Sequence, residues 1–525
     1  MKYISGSFSI PSKTKNRRLP WLAVIFGLVV MFWPGGDACA RILEVGVNRP
    51  YATLRAAASD AAPGDTILIR AGVYAGNEMI SNLQGTESQW ITIMAAPGED
   101  VLIQGGRTAW HFVDPAYLRI RGISFRGQTI NGVNIDDGGD YSTPARYVEI
   151  EDCRWLGMNA SGNNDELKLS GLDNFVVRNC MFTNGARGGS LVDMVGCHEG
   201  VFVGNVFSNA GSNCIQAKGG SRNILIARNR FSNGGQRSVN IGGSTGQPYF
   251  RPAGVNYEAK EIYVYANVFT GSIAPIAYVG AVQCEVVNNT IYLPEKWAIR
   301  ILQETTRDGF LPCGDNTFRN NIVYLGNRAA GPAINIGPNT APGTFTFSNN
   351  LWYNFENASW NGPNVPVVDS DRVLGEDPLL VDPQNGDFSL RSNSPAIGKG
   401  YDVAAPRLDF LNRAFNRPRS IGAVEGNPVV STINTVAASS SIDIAIYPNP
   451  VANRLTLGIT TSERQVLTVA LYDAAGRKAL APETRPYVPG FHRFILDVRD
   501  LAPGTYHVVV TSPRSVTSRN IIIGR

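Results

Sequence analysis

Short runs of β-branched and aromatic residues recur down the middle of the chain, each followed by Asn and then by a large apolar residue. They read F-V-V-R-N-C-M-F from Phe175, V-F-V-G-N-V-F from Val201, L-I-A-R-N-R-F from Leu225, Y-V-Y-A-N-V-F from Tyr263, V-V-N-N-T-I from Val286, F-R-N-N-I-V from Phe318 and F-S-N-N-L-W from Phe347. The Asn positions 179, 205, 229, 267, 289, 321 and 350 lie 26, 24, 38, 22, 32 and 29 residues apart, a structural period with insertions. A strand this short cannot bury its apolar face alone, but stacked on copies of itself it lines a continuous core. Asn tolerates the left-handed turn between such strands and can bond its own backbone. Its amide can also ladder onto equivalents above and below. Two earlier units, ending at Phe125 and Trp155, carry Gly or Asp at the same place, so at least nine turns are expected. Leucine-rich repeats share the period but need a regular Leu pattern, and these units use Val, Ile, Phe, Gly and Asn instead.

The reading is therefore all-β, a right-handed parallel β-helix. The units resemble the pectin-lyase-like superfamily, and the stretch from Tyr51 to Tyr74 resembles its N-terminal capping helix and first strand. Leu54, Ala57, Ala58 and Ala61 form an apolar stripe at helical spacing before the Pro63-Gly64 stop. The resemblance covers residues 41–425 and speaks to fold more than to activity.

Both ends differ from this body. Lys13, Lys15, Arg17 and Arg18 precede an apolar run from Trp21 to Trp33, and Ala38-Cys39-Ala40 offers a small-residue cleavage pattern. Residues 1–40 are therefore expected to be a signal peptide, too short in its apolar part for a membrane span. Residues 426–443 read as a Ser, Thr, Val and Ala linker. Residues 444–525 then show alternating strands and turns of a small sandwich of seven or so strands. Their Y-P-N-P, L-Y-D-A-A-G-R and L-A-P-G-T-Y segments resemble the C-terminal sorting domain of the type IX secretion system. That implies export through this machinery, to a secreted or outer-surface location, with the tail removed or exchanged for an anchor. A carbohydrate-binding module is the alternative for this domain.

Composition excludes some classes. Lys and Arg number 47 against 43 Asp and Glu, and five of the basic residues lie in the leader, so no basic face asks for nucleic acid. A monomer is expected. Six cysteines follow the leader, namely Cys153, Cys180, Cys197, Cys214, Cys284 and Cys313; without a C-x-x-C or His pair they suit small buried hydrophobes better than a metal site, although export would permit bridges.

The packed interior leaves chemistry to an outer face, where a polymer can lie across the coils. Alternation fixes which side chains point outward. In L-K-L from Leu167, V-D-M from Val192, I-Q-A-K from Ile215, V-N-I from Val239, I-R-I from Ile299 and I-N-I from Ile334, the outward row is Lys168, Asp193, Gln216 with Lys218, Asn240, Arg300 and Asn335. Lys168, Asp193 and Lys218 should be neighbours, either as a neutralised surface ladder or as a site that cleaves uronate polymers by β-elimination. That chemistry needs a cation on the C5 carboxylate, a base for the C5 proton and an acid for the leaving oxygen; a lysine with a lowered pKa suits the base.

Within the superfamily the nearest functional resemblance is to alginate and chondroitin lyases, which set a basic Lys and an Arg on successive coils beside calcium. Lys168 resembles that Lys. The following coil departs from the pattern, with Asp193 and His198 where the Arg is expected, so Arg237 or Arg300 would supply the missing cation. The resemblance makes calcium a possible cofactor, with Asp165, Glu166 and Asp193 as its ligands. Lys168 or Lys218 is the candidate base, Asp193 its electrostatic partner, and Arg237 and Arg300 the carboxylate binders. Gln216, Asn240, His198, Asn335, Tyr249 and Tyr257 are candidate substrate contacts, the tyrosines from an aromatic insertion, residues 247–258, expected with residues 303–316 to overhang the groove. The acidic run from Asp136 to Asp140 reads as a solvated turn, and no Gly-His-Gly or Arg-Ile-Lys follows to make a polygalacturonase site. The substrate expected is an extracellular polysaccharide. A non-catalytic glycan-binding or adhesive protein, or a glycoside hydrolase using Asp165 and Asp193, are the rival readings.

Overall fold

The computed structural model describes residues 40–426 except 332, and residues 442–524 except 448–450, 452, 462–464, 474–476, 488–489 and 513–515. The expected leader and nearly all of the expected linker lie outside the described residues. Two compact units divide the chain, residues 1–429 and 430–525.

In the first unit each coil contributes one strand to each of three long sheets, and every strand pairs in parallel with its equivalent one coil on. Sheet 1 runs from Ile42–Val45 to Asp369–Ser370, sheet 2 from Gly72–Ala75 to Val373–Leu374, and sheet 3 from Glu78–Ser81 to Ile334–Ile336. One coil reads Ser190–Val195 in sheet 3, His198–Val203 in sheet 1 and Val206–Ser208 in sheet 2. This is a parallel β-helix. Inward residues build one core along the axis. Sheet 2 supplies a stack of rings, Phe125, Trp155, Phe182, Phe207, Phe231 and Phe269, with successive centroids 4.4–5.0 Å apart.

The turn from sheet 1 into sheet 2 explains the recurrent Asn and corrects its register. Two adjacent positions divide the two roles that the sequence assigns to one. The first adopts positive φ: Gly122, Asp152, Asn179, Gly204, Arg228, Ala266, Asn288, Asn320 and Asn349. The second points inward as the rung: Cys153, Cys180, Asn205, Asn229, Asn267, Asn289, Asn321 and Asn350. Asn179 is therefore a turn residue and Cys180 the rung, whose N–H donates to Asn205 Oδ1 at 2.9 Å. Asn229, Asn267, Asn289 and Asn321 each donate to a carbonyl one coil back and to the next Asn, and accept from the previous one. Asp369 ends the ladder by accepting from Asn350 and Trp352. All six described cysteines are buried and unbridged.

A helix, Leu54–Asp60, covers the first coil; Thr53 Oγ1 accepts from Ala56 N, and Leu54 and Ala57 are buried. At the far end Trp360, Val365 and Val367 pack against the last coil. The hairpin Leu380–Asp382 with Asp387–Leu390 then folds onto sheet 2, where Phe388 is buried. Covering both ends hides the open strand edges.

The second unit packs a three-stranded antiparallel sheet, containing Ile442–Tyr447, Arg454–Thr461 and Gly490–Asp497, on a four-stranded one. Leu455, Leu457, Leu467, Val469, Val508 and Ile521 share its core.

Candidate functional site

Backbone register places the outward side chains of sheet 3 in one line. Reading coil by coil, the aligned residues are His111, Asn134, Lys168, Asp193, Gln216, Asn240, Ala277, Arg300 and Asn335. Nine strands at about 4.8 Å give a track of roughly 40 Å, long enough for an oligosaccharide. The row expected from alternation is thus one physical row, interrupted at Ala277.

Its centre is a charge cluster. Asp193 is fully buried under two ammonium groups: Lys168 Nζ donates to Oδ2, and Lys218 Nζ lies 3.3 Å from Oδ1. Asp165 is also buried, 3.6 Å from Lys168 Nζ, and its Oδ1 accepts from Ser190 N at 2.9 Å. Burial and the neighbouring Asp193 push the Asp165 carboxyl up to about 6. For Lys168 burial works to lower the ammonium, but Asp193 and Asp165 outweigh it and hold it above its ordinary value. This reverses the lowered pKa expected of a basic Lys at that position. Only the lysines offer accessible surface here, at 20% and 13% of their side chains.

The raised Asp165 carboxyl has a testable consequence. Its folded pKa exceeds the unfolded one, so the stability it confers is present at acid pH and is lost as pH rises through about 6. Asp165→Asn should therefore gain on the wild type in melting temperature between about pH 4 and about pH 7. An offset that stays constant across that range would mean that Asp165 carries no such penalty.

Downstream, Arg237 donates to Asn240 Oδ1 at 3.1 Å and pairs with Glu304 at 2.9 Å. Arg300 donates to Asn335 Oδ1 at 3.0 Å and lies 4.5 Å from the Trp297 ring centre. Burial, and then Arg237, lower its guanidinium. Gln216 accepts from Asn213 Nδ2 at 3.2 Å, whereas Asn240 is buried and donates to Gly242 O.

Several expected contacts fall elsewhere. His198 is buried beneath sheet 3's exit turn, its Nε2 3.2 Å from Gly220 O and its Nδ1 3.2 Å from both Arg251 Nη1 and Asp173 Oδ1. Arg251 forks onto Asp173 with two 2.7 Å bonds, so His198 belongs to a structural tie that anchors the 247–258 insertion. Tyr257 is buried as well, while Tyr249 is 66% exposed. The two insertions pack on each other: Phe250 meets Phe310, Arg307 lies 4.5 Å from the Phe250 ring, and Leu311 N donates to Asn256 O. Buried Glu258 joins both to the coils, accepting from Gly219 N, Thr245 N, Thr245 Oγ1 and Thr305 Oγ1.

The proposed calcium ligands do not fit the ion. Glu166 is fully buried and neither carboxyl oxygen has a hydrogen-bond partner; burial pushes its pKa far up, which leaves it neutral. Asp193 already faces two lysines. Among the described residues no group of three or more His, Cys, Asp or Glu side chains is placed to hold a metal.

The upstream part of the row is absent from the expected set. His111 Nε2 lies 2.6 Å from Asp136 Oδ2, and Asn134 Nδ2 donates to the same oxygen at 2.7 Å. Burial would raise Asp136, but the His111 hydrogen bond and charge hold it below its usual range. The signal was present: V-N-I from Val133 repeats the V-N-I from Val239, and His111 alternates between buried Trp110 and Phe112.

Comparison with known proteins fits this architecture. Residues 72–253 match the profile of the family described as right handed beta helix region, and residues 445–524 that of the secretion system C-terminal sorting domain. Among solved structures, pectate lyase Pel9A is similar at 13% identity over 75% of this chain and 98% of its own, with a TM-score of 0.49. An alginate lyase from Paenibacillus sp. str. FPU-7 aligns at 18% identity over 57% and 99%, with a TM-score of 0.37. A tailspike protein, gp49 from Acinetobacter baumannii bacteriophage Fri1, described as a capsular polysaccharide depolymerase, aligns at 10% identity over 93% and 78%, with a TM-score of 0.37. No curated protein matches the sequence. By its family match and its three parallel sheets, the first unit is a right-handed parallel β-helix. The second is a type IX sorting domain, which makes this a protein exported to the cell surface or the medium.

Proposed function

We propose that the β-helix binds an acidic extracellular polysaccharide along the sheet 3 row and cleaves it by β-elimination at Lys168, Asp193 and Lys218. The observation that carries this reading is two part-exposed ammonium groups converging on one fully buried carboxylate, with Arg300 further along the same row and Arg237 bonded to the row's Asn240. Buried Asp193 holds the lysines in place without itself competing for solvent-borne ligands. A uronate carboxylate laid over them would be neutralised, which acidifies its C5 proton; the base takes that proton, the electron pair forms the C4–C5 double bond as the C4–O bond breaks, and the ammonium so formed returns the proton to the leaving oxygen.

The two lysines differ in what ties them down. Lys168 has two carboxylates in reach and is kept charged, so it suits the carboxylate-binding role. Lys218 has one, at 3.3 Å, and lies two coils further on, across the Asp193 strand; it takes the base role. Arg237 and Arg300 would hold uronates at neighbouring positions, with Glu304 yielding Arg237 to the substrate. A hydrolase using Asp165 and Asp193 fits less well, because neither carboxyl has surface with which to reach a glycosidic bond. Calcium is given no role, since the donor set does not suit it.

The test is an ultraviolet assay of the purified protein against alginate, pectate, chondroitin and hyaluronan. Elimination leaves a conjugated C4–C5 double bond, so absorbance should grow on at least one polymer. Binding without any new absorbance or reducing ends would replace the lyase reading with a glycan-binding one.

A further inference from the structure

We propose a second carbohydrate site, on sheet 2 and away from the sheet 3 row: the cleft between the tyrosine ladder and the C-terminal hairpin takes a neutral sugar residue. Tyr292, Tyr324 and Tyr353 align on successive coils, with ring centres 4.9 and 5.3 Å apart. Phe355 stacks on Tyr324 at 5.5 Å, and Phe388 of the hairpin meets Tyr292 edge to face. Between the rings and the hairpin lies a cavity of about 380 Å³, within the size range of small-ligand pockets. Tyr292, Tyr324, Asp377, Asp382, Gln384 and Arg391 are among its lining residues.

The lining chemistry selects the ligand. Aromatic rings present a flat apolar surface to the C–H face of a pyranose, and Tyr292 and Tyr324, whose phenols can donate, both line the cleft. Burial, Tyr292 and Asp377 push the Tyr324 phenol up to about 12, so it keeps its proton. Asp377 uses Oδ1 on Leu379 N, which leaves Oδ2 for a vicinal pair of sugar hydroxyls. Arg391 is occupied with Val381 O at 2.9 Å. Two carboxylates against one guanidinium leave the lining net negative, which repels a uronate and favours an uncharged polyol, the opposite of the cation-rich row on sheet 3. Anchoring on neutral residues of a branched polymer would hold the chain while the acidic stretch occupies the row.

The proposal is independent of the lyase reading, and affinity electrophoresis of the full protein separates them. The probes are unsubstituted xylan, mixed-linkage β-glucan, galactomannan and dextran, with alginate as the acidic control. At least one neutral polymer should retard the wild type. Tyr324→Ala and Asp377→Asn should each weaken that retardation by at least about tenfold, equivalent to one well-stacked ring or hydrogen-bonded pair. Tyr324→Phe, which keeps the stack, guards against misfolding and should lose less. Lys168→Ala should bind neutral polymer as the wild type does. No retardation by any neutral polymer, or retardation that survives both Tyr324→Ala and Asp377→Asn, would overturn the site.

Discussion

Lys218→Arg is expected to cut polymer cleavage by about a thousandfold, the range typical of removing a general base, whereas Lys168→Arg should lose about tenfold. The argument rests on the unequal ties of the two side chains. Arginine preserves positive charge at either position, so the contact with Asp193 survives in both variants. It cannot give up its proton at any workable pH, so a base is lost while a carboxylate binder is kept. Lys168 is held charged by Asp193 and Asp165 and has nothing to lose by the exchange beyond geometry. Steady-state rates on the polymer identified by the ultraviolet assay decide the matter. Equal losses in the two variants would sink the division of roles, and a larger loss in Lys168→Arg would invert it.

Asn229→Ala should destabilise the β-helix by something on the order of 5 kcal/mol. Asn229 Oδ1 accepts from Asn205 N at 2.9 Å and from Asn205 Nδ2 at 3.0 Å, and its Nδ2 donates to Phe202 O at 3.0 Å and to Asn267 Oδ1 at 3.1 Å. Truncation orphans two donors and a carbonyl in a fully buried setting, each costing about 1–3 kcal/mol. Asn179→Ala makes the natural comparison. Asn179 is at positive φ but outside the interior ladder, its side chain bonding Asp152, which is not buried, so the left-handed backbone penalty of about 1–2 kcal/mol dominates. Urea unfolding of the two variants should differ several-fold in cost. Comparable midpoints would mean that the rungs contribute no more than the turns.

That pair of asparagines shows how far the sequence could be read. The repeat, the strands and the sheet 3 row were legible because each depends on local alternation, and parallel stacking converts one local rule into a line of side chains. The rung was displaced by one residue at Asn179 for a reason visible in the doublets Asn288-Asn289, Asn320-Asn321 and Asn349-Asn350. Asn suits both the turn and the interior ladder, so a lone Asn does not declare which it fills. Cys180 at the rung gave no polar signal, although its backbone N–H still feeds the ladder. His111, Asn134 and Asp136 obeyed the same alternation as the expected row and were accessible to the same rule, one coil and two coils further upstream.

Burial was the part that local pattern could not supply. His198 and Asp173 are tied down by Arg251, 78 residues after Asp173 in the chain, and Glu258 binds two insertions that are separate in sequence. Whether a polar residue on an outward position meets solvent or a loop depends on such distant closures. The sequence by itself determined the β-helix, its exported tail and the aligned positions of Lys168, Asp193, Gln216 and Arg300, since periodicity and stacking are properties of short segments. Only the tertiary structure decided that Asp193 is sealed beneath two lysines, that Asp165 is pushed toward neutrality, that Glu166 and His198 serve the interior, and that a tyrosine cleft forms on the other face. Each of these turns on which groups desolvate one another across coils, an outcome set by the packing of the whole solenoid.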